Sequence, residues 1–204
     1  MIQPARKLPP TEGPPVALHD RAMDNLQYIR DTMARSSAFT AISGGSMVVM
    51  GLIAIVTAFV SSSADPVRWI ATWLGTAVLA LTVSAAATIR KARRVDESVF
   101  KGPGRKFMLA MFPALAVGGL LSVPFLRSGS IEFLPGVWLL LYGTAVVGGG
   151  AFSVRTIPLM GASFLLLGSV AVVVPGGSTN LWMALGFGGL HIVFGSWIAW
   201  RHGG

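Results

Sequence analysis

The stretch "LWMALGFGGLHIVFGSWIAW", Leu181 to Trp200, contains no Asp, Glu, Lys or Arg and carries a single histidine near its middle. A bilayer's hydrocarbon core, roughly 30 Å thick, takes about 20 helical residues to cross, so a stretch of this length and composition reads as a membrane span. The rest of the chain agrees. Its 204 residues are 53% hydrophobic and only 12% charged, with a mean hydropathy of +0.68. A soluble domain of this length has no use for that much apolar surface.

Five more uncharged windows precede this one: Phe39–Val60, Trp69–Ile89, Phe107–Leu126, Phe133–Val154 and Ile157–Val174. Turn chemistry separates several of them, as in "SSSADP", "RSGSIE" and "VPGGSTN". Pro135 and Pro158 fall in first helical turns, where a missing N–H costs little. Pro113 and Pro124 lie inside the third window and predict a bent helix. The expected fold is therefore all-α: a six-helix transmembrane bundle over residues 39–204, preceded by a cytoplasmic amphipathic helix.

That helix is expected over residues 16–38. Leu18, Ala22, Leu26, Ile29 and Met33 recur at helical spacing, while Asp20, Asp24, Gln27, Asp31 and Arg35 take other faces. Asp31 and Arg35 stand in the favourable i,i+4 order. Ahead of a span, such a helix lies in the membrane interface or over the mouth of the bundle. Residues 1–15, rich in proline and polar side chains, read as a disordered tail.

Charge sets the expected orientation. Of the 16 Lys and Arg, 14 fall in the N-terminal segment, the loop Arg90–Lys106, Arg155 and Arg201, and only Arg68 and Arg127 occupy the opposite loops. The positive-inside rule then puts both termini in the cytoplasm. The net charge of +8 is accounted for by topology, not by nucleic-acid binding. Arg90, Lys91, Arg93, Arg94, Lys101, Arg105 and Lys106 outnumber Asp96 and Glu97 and are expected to contact anionic phospholipid headgroups. All of Trp69, Trp73, Trp138, Trp182, Trp197 and Trp200 fall near window ends, where indole rings favour the membrane interface. The absence of cysteine excludes disulfides, thiolate metal sites and thiol catalysis.

Together "LHDRAMDNLQYIRDTM", "FTA", "GRKF", "GFGGLHIVFG" and "RHGG" resemble a family of uncharacterised small multi-pass bacterial inner-membrane proteins. The resemblance extends over nearly the whole chain. It implies six spans and a bacterial inner membrane, and it implies no activity. His19 and His191 both fall in the family's recognisable segments.

His191 is the one ionisable group in the windows besides the phenol of Tyr142. Regular helical spacing puts it on one face with Ala184, Phe187, Gly188, Gly195 and Ile198, and puts Trp182, Leu190, Val193, Trp197 and Trp200 toward lipid. Small residues mark helix contacts in membranes, so His191 is expected to point into the bundle and to stay uncharged there. Tyr142, Thr144, Ser163, Thr76 and Ser46, each near the middle of its own window, are its candidate hydrogen-bond partners. Three roles compete: a polar clasp between helices, a residue of a permease or channel pathway, and an axial ligand of haem or another tetrapyrrole.

Enzyme signatures are lacking. "KGPGRK" does not have phosphate-loop spacing, and no metal ligand set, carboxylate dyad or Ser/His/Asp arrangement can be assembled in one membrane plane. Gly148–Gly150, Gly186–Gly189 and the Ala110, Ala114, Gly118 series read as packing faces. The sequence thus predicts a non-enzymatic accessory or assembly subunit without cofactor or metal. Its expected partners are lipid and either another membrane protein or a second copy of itself.

Overall fold

The computed structural model describes residues 15–36, 42–61, 65–94, 100–174 and 178–202, nearly all of them helical and none in a strand. Residues 1–14 of the expected tail lie outside the described residues, as do 37–41. The chain divides into two units, Met1–Ser37 and Ala38–Gly204.

Among the described residues, the first unit holds one helix, α1 (Pro15–Ser36). Proline suits its first position because that N–H has no intrahelical partner. Leu26, Ile29 and Met33 are exposed along it.

The second unit opens with α2 (Gly44–Val60), capped by Ser43, whose hydroxyl accepts from the Ser46 amide. Then follow α3 (Pro66–Arg94), α4 (Gly102–Ser128), a short 3-10 turn (Ile131–Phe133), α5 (Leu134–Gly150) and α6 (Thr156–Val173). The last rod is composite: α7 (Thr179–Met183), a π-helical segment (Ala184–Leu190) and α8 (His191–His202). Among the described residues, five helical segments are long and apolar enough to cross a membrane: Pro66–Arg94, Gly102–Ser128, Ile131–Gly150, Thr156–Val173 and Thr179–Arg201. The sixth apolar helix, α2, has 17 residues and rises only about 26 Å.

Several boundaries differ from those read in the sequence. The basic stretch Arg90–Lys106 is largely helix: Arg90–Arg94 finish α3 and Gly102–Lys106 begin α4. Long cationic side chains reach polar surroundings from a helix end, so charge does not terminate a helix there. At the fourth window, α5 stops at Gly150 and the chain turns through Ala151 and Phe152, four residues before the expected end at Val154. Elsewhere the turn chemistry acts as written. Gly129 closes α4 in the left-handed conformation at φ 70°, Asp65 accepts from the Arg68 amide at the start of α3, and Pro135 occupies the first turn of α5. Pro113 and Pro124 are both internal to α4.

Helix packing rests on small residues. Between α5 and α6, the most extensive contact of the bundle, a methyl on Gly143 would sit 2.9 Å from the Gly161 carbonyl oxygen. Between α2 and α8, a methyl on Gly195 would sit 2.9 Å from the Gly44 carbonyl oxygen. Close backbone approach of this kind drives association where lipid is as apolar as the side chains. The core lies among α2, α5, α6 and α8, around Met47, Leu139, Val146, Met160, Phe164, Phe194 and Ile198. By contrast α3 and α4 flank this core, touch each other little, and leave most of their side chains exposed.

Candidate functional site: the Tyr142–His191 pair and its cleft

His191 is the first residue of α8, directly after the π-helical segment, and is 2% exposed. Its Nδ1 lies 2.9 Å from the Phe187 carbonyl oxygen and its Nε2 lies 2.8 Å from the Tyr142 hydroxyl. A carbonyl only accepts, so Nδ1 carries the proton. In the uncharged ring Nε2 is then the acceptor and Tyr142 donates. Aromatic rings enclose the pair: Tyr142 meets Phe164 edge-on at 4.8 Å and Phe187 at 5.3 Å, and Phe164 meets His191 edge-on at 5.4 Å.

Of the five candidate partners, the structure brings only Tyr142 to His191. Thr76 shares a hydrogen bond with Thr57 across α2 and α3 at 3.0 Å. Thr144 and Ser163 donate to carbonyls of their own helices, those of Leu140 and Leu159. Ser46 donates to the Ser43 carbonyl in the first turn of α2, because that helix starts at Gly44 and not at Phe39.

The π-helical segment also corrects the expected faces. It inserts an extra residue into the helical register, which turns everything before it by about 100° relative to a regular α-helix. Gly188, Gly195 and Ile198 are buried with His191, and Val193, Trp197 and Trp200 are exposed, as regular spacing predicts. Trp182, ahead of the segment, was expected toward lipid and instead packs against the core; so does Leu190, the segment's last residue, whose place the register shift does not explain.

A second polar cluster was missed in the sequence. The Asn180 carbonyl oxygen accepts from the Trp69 indole at 2.6 Å, the Trp73 indole at 3.3 Å and the Ser61 hydroxyl at 3.0 Å. Its amide donates to the Ser61 carbonyl at 2.7 Å. One side chain thus joins the end of α2, the start of α3 and the start of α7. Trp69 stacks on Trp138 at 5.6 Å, and the Trp138 indole donates to the Gly118 carbonyl. Trp69, Trp73 and Trp138, read in the sequence as interfacial from their places near window ends, are buried against other helices of the bundle. Asn180 satisfies two of their N–H groups and Gly118 the third, which removes their need for water. An Asn in the turn "STN" beside a span was the available signal.

Between α3 and α4 two cavities of about 130 and 320 Å³ reach the pair. Met50, Leu81, Leu115, Tyr142 and His191 line both, so they are two parts of one cleft. Its wall is overwhelmingly apolar. Among the described residues no cluster of three or more His, Asp or Glu could hold a metal ion. A tetrapyrrole also fits His191 poorly, because both ring nitrogens already make hydrogen bonds. Compared with protein-family models, curated proteins and solved structures, the chain matches none.

Proposed function

We propose that this integral membrane protein is a non-enzymatic accessory or assembly subunit, working by helix packing against another membrane protein or a second copy of itself. The carrying observation is the outer face of α3. Ala71, Gly75, Val78, Thr82 and Ala86 follow one another at three- and four-residue steps and are all exposed. Nothing lies within 4 Å of where a Gly75 side chain would begin. In a membrane, small residues at this spacing let a second helix approach closely.

In the same reading, α2 is the sixth span and both termini face the cytoplasm of a bacterial cell, the inner membrane being the one the family resemblance implies. The cationic ends of α3 and α4 then meet anionic headgroups. A satisfied Tyr142–His191 pair suits a clasp between α5 and α8, and the apolar lining of the cleft gives a permeation pathway no polar track.

A photoreactive residue placed at Gly75 in native membranes tests the packing reading. It should crosslink to a discrete protein product, which Val78→Trp should abolish without unfolding the chain. Crosslinking to lipid alone at Gly75, Val78 and Thr82 would refute it.

A further inference from the structure

Methionine crowds the cleft between α3 and α4 out of proportion to its share of the chain. The sequence holds 23 leucines and 9 methionines, yet among the described residues five methionines and two leucines line the larger cavity. Apolar packing does not favour sulfur in this way, because the two side chains are close in volume and in the apolar surface they bury. Met47 and Met50 come from α2, Met108 and Met111 from α4, and Met160 from α6, each pair about one helical turn apart.

Three of these side chains converge. Met47 and Met160 are buried in one cluster, and Met111 and Tyr142 pack against it. Three helices thus present thioethers to a single cavity of about 320 Å³. The three rotatable bonds of methionine let such sulfurs close on a small guest without moving the backbone. Among the described residues no Asp, Glu, Lys or Arg lines either cavity, so the wall carries no charge. His191 is engaged at both nitrogens, with Tyr142 and the Phe187 carbonyl. Besides the Ser84 and Thr88 hydroxyls on the α3 wall, the donors left for a guest of the larger cavity are therefore thioethers.

Thioethers are soft and uncharged, and soft ligands select Cu(I) over hard cations. The missing charge matters as much. The cost of burying an ion rises with the square of its charge, so a neutral apolar site accepts a monovalent ion far more readily than Zn(II) or Ca(II). The ring faces of Phe107 and Phe112, also in the lining, favour a cation further. We infer that this cavity is a binding site for a soft monovalent cation, Cu(I) in a cell and Ag(I) as its redox-inert equivalent, held by the thioethers of Met47, Met111 and Met160. Met108, 46% exposed and two residues beyond Lys106, is the outermost sulfur and the one an arriving ion meets first. Gly75, Val78 and Thr82 do not line the cavity, so the site stands or falls apart from the packing reading.

The test uses the full chain, purified in detergent without a histidine tag and titrated anaerobically with Cu(I) against a chromogenic Cu(I) chelator. One equivalent should bind; Ag(I) should displace it and Zn(II) should not. X-ray absorption at the copper edge should show a shell dominated by sulfur. Exchanging Met for Leu removes the sulfur and nearly conserves the volume, so packing survives. Met160→Leu alone should weaken binding by at least about tenfold, the low end of what losing even a supporting group costs at a metal site. The triple variant Met47→Leu, Met111→Leu, Met160→Leu should abolish binding. Should it unfold, Met47→Leu and Met111→Leu taken singly carry the test, each with the same loss as Met160→Leu. Met23→Leu and Met33→Leu, at positions outside the lining, should change nothing. No uptake by the parent, binding indifferent to the three cavity methionines, or an equal loss in the Met23 and Met33 variants would overturn the site and leave the methionines as space-filling side chains. Gly75 crosslinking that persists in Met160→Leu separates loss of the ion from loss of the packing face.

Discussion

Replacing Tyr142 with Phe removes one oxygen from the centre of the bundle and leaves almost everything else in place. The ring keeps its edge-on contacts with Phe164 and Phe187, and His191 keeps its bond to the Phe187 carbonyl. What is lost is the 2.8 Å bond to Nε2, which becomes a buried acceptor with no donor. Side-chain hydrogen bonds within membranes average about 0.6 kcal/mol and reach about 1.7, and stranding a buried polar atom adds to the loss, so the expected cost is about 1.5 kcal/mol. His191→Leu should cost about the same, through a stranded tyrosine hydroxyl and the lost bond to Phe187. The double variant strands neither Nε2 nor the hydroxyl and should cost about 2 kcal/mol, not the roughly 3 of simple addition. His191→Gln, which keeps a hydrogen-bonding group, should be tolerated. Reversible unfolding in bicelles by steric trapping gives all four free energies. Strict additivity, or a Tyr142→Phe variant as stable as the parent, would refute the clasp.

Asn180→Ala should destabilise the bundle by about 2 kcal/mol and raise the solvent accessibility of Trp69 and Trp73, read by fluorescence quenching, since two buried indoles lose their acceptor. Gly143→Leu should cost at least as much by forcing α5 away from α6, whereas Gly75→Leu should leave unfolding unchanged because its surroundings are open. Single cysteines at Ser128 and Ser178 should react with an impermeant thiol reagent from outside intact cells, and one at Phe100 should not; the reverse pattern would invert the orientation. The purified protein should show no Soret band, and a band removed by His191→Leu would restore the tetrapyrrole reading.

What sequence could resolve here follows from what lipid demands of a chain. Uncharged runs of spanning length are unavoidable in a membrane helix, so the all-helical architecture and five of the long apolar helices are legible from composition alone. The cap and break residues were legible too: Gly129, Pro135 and Asp65 act at the positions where they are written. Burial was less so. Tryptophan is equally at home at an interface and in a core with an acceptor, and nothing local to Trp69 announces that Asn180, more than a hundred residues later, will supply one.

Tertiary structure decided the rest. The inward direction of His191 follows from regular spacing with the small residues after it, but its partner does not, because Tyr142, Thr76, Thr144 and Ser163 look alike until helices are docked. Thr76, Thr144 and Ser163 can satisfy themselves on their own helix or a neighbour, whereas a phenol cannot reach its own backbone carbonyls and must find a partner across the bundle. The π-helical segment belongs to the same class. "ALGFGGL" is compatible with a regular helix, and its π-helical turns, along which Gly188 packs against Ile55 and Gly186 against Leu139, are visible only in the packed structure. The sequence by itself determined that this chain belongs in a bilayer, because hydrophobicity is additive along a chain. Which polar groups meet inside it, and that a cleft opens between α3 and α4, depend on pairwise fit between distant segments, which only the packed structure contains.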